Sequence, residues 1–205
     1  MNSDKKLKII LLRHGKTIYN QEKRLQSPKD SLTDEGKGQI LKLQEKLSKF
    51  NFDKIISSDE KRAIESTEII AQWINKDFKK MSLIREKSSG DFSDKLVSEV
   101  DWSLVKGNFL DKKIPGGESV NDVIIRASEF FKILNEFKQS ENVLVVSHGT
   151  FLRILFCLIF NEDIQEYLLN HEFPNASYII ISRSESGKWD VEELPLIKKE
   201  SNKDG

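Results

Sequence analysis

The sequence predicts an α/β protein with a largely parallel sheet. Two runs, "LKIILL" (7–12) and "NVLVVS" (142–147), are short, continuously apolar and rich in β-branched residues, as strands covered on both faces are. Other segments carry apolar residues at helical spacing, the mark of helices that lay one face on a sheet. Strand and helix patterns alternate along the chain, the order that builds parallel sheets through crossover helices.

The elements follow in order. After the strand at 7–12, Thr33 with Asp34 and Glu35 has the form of an N-cap followed by two first-turn acids. Ile40, Leu43, Leu47 and Phe50 then share one face, predicting a single helix from 34 to about 50. "DKIISS" (53–58) is a short strand, and Asp59 is expected to open an amphipathic helix with Ala63, Thr67, Ile70, Ala71 and Ile74 on one face and Arg62 in the first turn. Residues 79–117 are polar and broken by Gly90, Gly107, Pro115, Gly116 and Gly117, with one short helical piece around Trp102, Leu104 and Val105; they read as a lid or insertion. Ser119 caps a helix whose core stripe is Val123, Ala127, Phe130, Leu134 and Phe137. The strand at 142–147 leads into an apolar helix at 150–160, and "SYIIISR" and "WDVEELPL", joined by "SESGK", form a hairpin at a sheet edge.

A chain of 205 residues suits one domain, expected over 1–197, with 198–205 as a tail lacking regular structure. Lys plus Arg and Asp plus Glu both number 33, so there is no global field to draw in nucleic acid or a membrane surface. The most apolar stretch, "FLRILFCLIF", is too short for a membrane span and contains Arg153, and the opening "MNSDKKLKII" reads as a first strand rather than a signal. A single cysteine, Cys157, within that stretch reads as a buried structural thiol. The expectation is a cytoplasmic protein without nucleic-acid or membrane partners; oligomeric state is not legible.

The chemistry gathers at strand ends. Two of the three histidines, His14 and His148, end buried strands and are each followed by glycine. Ligands of open α/β sheets bind beyond the carboxyl ends of the strands, where helix N-termini also point. Parallel strands would set the two imidazoles face to face, with Arg13 and Arg62 at the same edge. Two guanidiniums beside two imidazoles describe a seat for a dianionic phosphate. Metal binding fits less well, because no further ligands stand at close spacing and the arginines would repel a cation. A histidine in such a seat suggests attack on phosphorus, with a carboxylic acid protonating the leaving alcohol; composition alone does not single out that acid.

Together, "LLRHGKTIYN", "SSDEKRAIEST", "IREKSSGDF", "GGESVNDVIIR" and "VVSHGTFLR" resemble the histidine phosphatase superfamily, which includes phosphoglycerate mutases and many small phosphatases. The resemblance runs from Leu7 to about Ser182 with the motifs in family order. It implies a three-layer α/β/α sandwich of phosphoglycerate mutase type with a mostly parallel central sheet. It also implies His14 as the phosphorylated nucleophile, Arg13, Arg62 and His148 as the phosphate pocket and Glu86 as the proton donor. Asn20, Thr17, Gln26 and Gly149 fall at substrate-binding positions, with no metal and no cofactor. Lys16, Ser27 and Asp94 depart from the pattern near the expected pocket mouth.

The acid's surroundings, "REKSSGDF", and the short stretch before "GGES" resemble the phosphatase branch. The resemblance therefore implies a metal-independent phosphomonoesterase of histidine acid phosphatase type acting on a small phosphorylated metabolite. Phosphoglycerate mutase and a non-catalytic phosphate-binding protein are the alternatives. Glu118, Ser119, Asp122 and Arg126 read more simply as helix acids, cap and structural partner. Trp102, Phe92 and Phe109 either line the lid or pack it.

Overall fold

The computed structural model describes residues 6–194 and 197–198. Strands β1 (Leu7–Arg13), β2 (Lys54–Ser58), β3 (Lys79–Met81), β4 (Asn142–Ser147), β6 (Tyr178–Arg183) and β7 (Trp189–Glu193) form one sheet in the order β3-β2-β4-β1-β6-β7. The first four are parallel, whereas β6 is antiparallel to both β1 and β7. A separate two-stranded ribbon pairs β5 (His171–Glu172) with β8 (Ile197–Lys198). Residues 199–205 of the expected tail lie outside the described residues.

The alternation of side chains along β1 divides the core into two layers. Leu7, Ile9 and Leu11 face α5 (Val120–Glu136), α6 (Gly149–Phe160) and α7 (Ile164–Asn170), among Phe130, Phe151, Leu152 and Leu155. Ile10 and Leu12 face the other side, with Ile40 and Leu47 from α2 (Asp34–Leu41) and α3 (Gln44–Leu47) and with Ala63 and Ile70 from α4 (Lys61–Ile74). Helices therefore cover both faces, which is the expected α/β/α architecture with a mixed, mostly parallel sheet. The stripe of α5 packs as its spacing predicts: Val123, Ala127, Phe130 and Leu134 are fully buried. Its last carbonyls are met by the buried Arg183 of β6, which donates to Asn135 O at 2.7 Å and Phe137 O at 2.5 Å. Cys157 is buried, and burial pushes its thiol up to about 12.

Several element boundaries differ from the sequence reading. The helix expected over 34–50 is two, because Leu43 N–H bonds Ile40 O at 3.0 Å and tightens the chain; the apolar face survives, since Ile40 and Leu47 remain buried. Helix α4 is capped by Glu60, not opened by Asp59, whose carboxylate is engaged by Arg85 at 2.6 and 2.5 Å. Within 79–117 the first three residues are sheet, pairing in parallel with Ile56–Ser58. The rest is four short 3-10 turns around a small core of Phe92, Val100 and Ile114. The short helices α1 (Ile18–Glu22) and α7 have no counterpart in the pattern reading.

Phe130 is fully buried between α5 and the sheet, so Phe130→Ala should lower unfolding free energy by about 3–5 kcal/mol in urea titration. Ile125→Ser, on the exposed face of the same helix, should change it by less than about 0.5 kcal/mol.

Candidate active site

Three parallel strands, β2, β4 and β1, stop at the same edge. Arg13 pairs with Ser147, and Ser57 with Val146, so the next residues of each strand emerge together. His14 N–H extends the ladder to Ser147 O at 3.1 Å, which places His14 and His148 side by side with ring centroids 5.1 Å apart. Both imidazoles are fully buried.

The glycine after His14 has a steric reason. A side chain on Gly15 would meet Gly36 O at 2.4 Å, because the loop after β1 runs against the N-terminal turn of α2. One on Gly149 would only touch the Arg13 guanidinium, at an ordinary contact distance of 3.4 Å, so the steric requirement lies at Gly15. Asn175 Nδ2 donates to His14 O at 3.2 Å and Ser66 Oγ accepts from Gly15 N–H at 3.2 Å, fixing the loop from both sides.

His14 Nδ1 lies 2.7 Å from Gly15 O. A carbonyl only accepts, so Nδ1 carries the proton and Nε2 keeps its lone pair. Arg62 Nε–H donates to that Nε2 at 3.2 Å. Burial, then the charges of Arg62, His148 and Arg13, hold His14 well below the usual histidine range, so the ring is neutral at pH 7. The buried Arg62 also donates to Ser27 O at 2.9 Å and to Glu60 Oε2 at 2.6 Å. Arg13 donates to Phe173 O at 2.5 Å, while its buried Nε has no partner among the described residues. Burial lowers Arg13 to about 10, still a cation at neutral pH.

Glu86 is half-buried on the wall between two clefts of about 480 and 230 Å³, and lines both. Its Oε1 accepts from Lys87 N–H at 2.8 Å and its Oε2 from Thr150 N–H, in the first turn of α6, at 3.1 Å. Burial opposes its ionisation, but the His148 charge, these two amides and Arg62 outweigh that and hold the carboxyl below the usual range. The loop bearing it is tied down by Arg126, whose guanidinium donates to Leu83 O, Arg85 O, Glu86 O and both oxygens of Glu118. Ser119 and Asp122 form a capping box on α5. Ser119 and Asp122 thus act as the expected cap, whereas Glu118 and Arg126, besides holding the Glu86 loop, also line the larger cleft.

Of the expected substrate-binding residues, Gly149 lines the smaller cleft and Gln26, Thr17 and Asn20 form one hydrogen-bonded cluster. Gln26 lines the larger cleft and donates to Thr17 Oγ1 at 2.9 Å. Thr17 and Asn20 cap α1 reciprocally, which engages Asn20 Oδ1 with Thr17 N–H. Among the departures from the family pattern, Ser27 meets Arg62 through its carbonyl and Lys16 pairs with Glu35 at 2.6 Å. Asp94 holds a left-handed turn, φ 71°, beside the cleft residue Ser93. Phe92 and Trp102 pack edge to face at 6.2 Å, and neither they nor Phe109 line the clefts.

Sequence reasoning missed Glu60, Ser58 and Asn175. His148 Nε2 lies 3.0 Å from Glu60 Oε2 and 2.8 Å from Ser58 Oγ. The only local signal for Glu60 was an acid two residues before Arg62 in a strand-to-helix turn, which by composition alone looks like a solvated surface charge.

Residues 9–195 match the histidine phosphatase superfamily (branch 1). A relative from Salmonella choleraesuis (strain SC-B67), "Probable phosphoglycerate mutase GpmB", is 36% identical over 161 residues, covering 75% of this chain and 74% of that protein. Among solved structures, Bacillus stearothermophilus YhfR is 25% identical with a TM-score of 0.81, covering 91% of this chain and 95% of the other. The alpha-ribazole phosphatase from Shigella flexneri has the same fold, with a TM-score of 0.82 at 19% identity over 91% of this chain and 95% of the other. So does a mycobacterial glucosyl-3-phosphoglycerate phosphatase solved with VO3, with a TM-score of 0.76 at 23% identity over 90% and 96%.

Because Arg126 secures the loop that carries Glu86, Arg126→Ala should speed hydrogen exchange of the Lys87 and Thr150 amides by about tenfold or more. Exchange along β1 should be unchanged, which amide-resolved NMR would read.

Proposed function

Since the chain belongs to the histidine phosphatase superfamily, we propose that it is a phosphatase that hydrolyses small phosphomonoesters through a phosphohistidine at His14, without a metal. The observation that carries this reading is the state of His14: neutral, with its proton held on Nδ1 by Gly15 O and its Nε2 lone pair turned to Arg62. A phosphoryl group entering between Arg13 and Arg62 takes over the Arg62 N–H bond and frees Nε2 to attack phosphorus. The new N–P bond forms as the ester P–O bond breaks, and the charge left on the imidazole is met at Nδ1–H by Gly15 O.

Glu86 supplies the proton for the leaving alcohol. Its carboxyl is ionised in the unliganded site, so the proton arrives with the monoanionic ester and is shared with Glu86 once the phosphate charge lies beside it. In the second half, the Glu86 carboxylate takes a proton from water, the water oxygen attacks phosphorus, the N–P bond breaks, and inorganic phosphate leaves carrying that proton, with His14 neutral and Glu86 ionised again.

Support for a small substrate comes from the larger cleft, about 480 Å³, with Arg85, Lys87 and Ser88 on its rim. The alternative is a phosphoglycerate mutase, the name carried by relatives at 36% identity. Transfer of phosphate between positions of phosphoglycerate exceeding its hydrolysis would establish that reading.

With chelator present, wild type should release phosphate from members of a phosphomonoester panel, and His14→Ala should release none. A quenched single turnover should leave an acid-labile phosphoryl group on wild type alone; turnover retained in His14→Ala would refute the assignment. Glu86→Gln should slow alkyl phosphates by about 10²–10⁴-fold. In the burst phase, which reads formation of the phosphohistidine alone, it should slow p-nitrophenyl phosphate far less, because nitrophenolate leaves without a proton.

A further inference from the structure

Glu60 takes no part in the chemistry above, yet it is buried at 6% exposure and touches two groups of the phosphate seat. A buried carboxylate needs partners. The same oxygen, Oε2, accepts from Arg62 at 2.6 Å, lies 3.0 Å from His148 Nε2 and receives a long bond from Glu86 N–H at 3.4 Å.

We propose that Glu60 is a positioning residue that fixes the tautomer of His148 and stabilises its imidazolium form, so that His148 donates a hydrogen bond to the bound phosphoryl group. The inference rests on the phosphatase reading for the identity of that group. The tautomer follows from the contacts. An ionised carboxylate oxygen only accepts, so His148 Nε2, 3.0 Å from Glu60 Oε2, must carry the proton, with Ser58 Oγ as a second acceptor at 2.8 Å. Nδ1 then bears a lone pair, and it is buried without a partner among the described residues. Phosphoryl oxygens also present lone pairs. With the proton of the ester passed to Glu86, the two meet favourably only when Nδ1 gains a proton, which makes His148 a cation.

The charges around His148 decide whether that proton is held. Burial and Arg62 disfavour it, and the neutral His14 ring stands beside it with centroids 5.1 Å apart. Glu60 and Glu86 favour it, and Glu86 must give up its own charge to act as an acid. Beyond Glu60, the Arg85 guanidinium is paired with Asp59. That leaves Glu60 as the carboxylate that still faces the imidazolium when a phosphomonoester is bound. Burial raises the Glu60 carboxyl, but His148 and Arg62 overcome this and bring it to about 2, so it remains charged wherever the enzyme works.

The test compares wild type, Glu60→Gln and Glu60→Asp. In the unliganded protein, nitrogen-15 NMR should find the proton of His148 on Nε2, with a titration midpoint that falls by about one pH unit or more in Glu60→Gln. In kinetics, the basic limb of kcat/KM should move to lower pH by a similar amount. The Gln variant should then be about tenfold slower at pH 7.5 and approach wild type near pH 5.5, with partial recovery in Glu60→Asp. Loss by the same factor at every pH would mark a merely structural role and overturn the inference, as would faster turnover of Glu60→Gln or an unmoved His148 midpoint. Should wild type hydrolyse no phosphomonoester while the NMR coupling holds, the phosphatase reading falls and the role in turnover with it; a lost coupling in an active enzyme defeats the inference alone.

Discussion

The flush ending of β1, β4 and β2 is the constraint on which the site depends. Parallel strands in register deliver consecutive carboxyl ends to one line about 5 Å apart. His14 and His148 are thereby neighbours through backbone hydrogen bonds rather than through any contact between themselves. A slip of one residue in the β1–β4 pairing would also exchange the core faces of β1, sending Ile9 and Leu11 into the layer of Ile10 and Leu12. The energy that fixes the active-site geometry is therefore that of the two-sided core, and the catalytic groups need contribute little to their own placement.

Upon that scaffold the site is balanced in charge. Arg13 and Arg62 are set against Glu60 and Glu86, all four crowded around two histidines from which burial removes the charge. Two buried guanidiniums without carboxylates would leave uncompensated charge inside the protein. With the carboxylates present, the seat is close to neutral, and a phosphate ester enters most favourably together with a proton. Holding the acid and making the seat tolerable before substrate arrives are two aspects of one arrangement.

Much of this was legible. Strand and helix patterns gave the layers, because apolar runs of period-free and helical spacing report burial directly. The paired His-Gly strand ends and the arginines following buried strands located the site edge, and family motifs singled out Glu86 among many acids. What escaped notice has a common physical cause. Glu60, Ser58 and Asn175 act through contacts across 90 or more residues of sequence in the cases of Ser58 with His148 and Asn175 with His14, or through a turn geometry that places Glu60 under His148. No local pattern records such contacts. The split of the 34–50 helix was hidden for the opposite reason: its apolar face continues unbroken, so periodicity alone could not show the tightened turn at Leu43.

On the proposed reading, chemistry and choice of substrate fall to different parts of the chain. In the proposed mechanism the nucleophile His14 and its neighbours Arg13, His148 and Arg62 sit at strand ends and in the first turn of α4, whereas the rim of the larger cleft comes mainly from residues 82–93, a run of short turns. That segment is attached through the Arg126 guanidinium on the carbonyls of Leu83, Arg85 and Glu86, the Ser147 hydroxyl on Ile84 O, the Glu118 carboxylate on Ser88 N–H, the Arg85–Asp59 pair and the buried side chains of Ile84 and Phe92. The rim can therefore vary in sequence without disturbing the phosphate seat, provided that these points persist. Glu86 is the exception, since it belongs to both parts. It is carried by the rim loop, but its oxygens are fixed by the Lys87 and Thr150 amides, and Arg126 holds the backbone behind it. Anchoring Glu86 to α6 as well as to its own loop lets the rim change while the carboxylate, the acid of the proposed mechanism, stays in place.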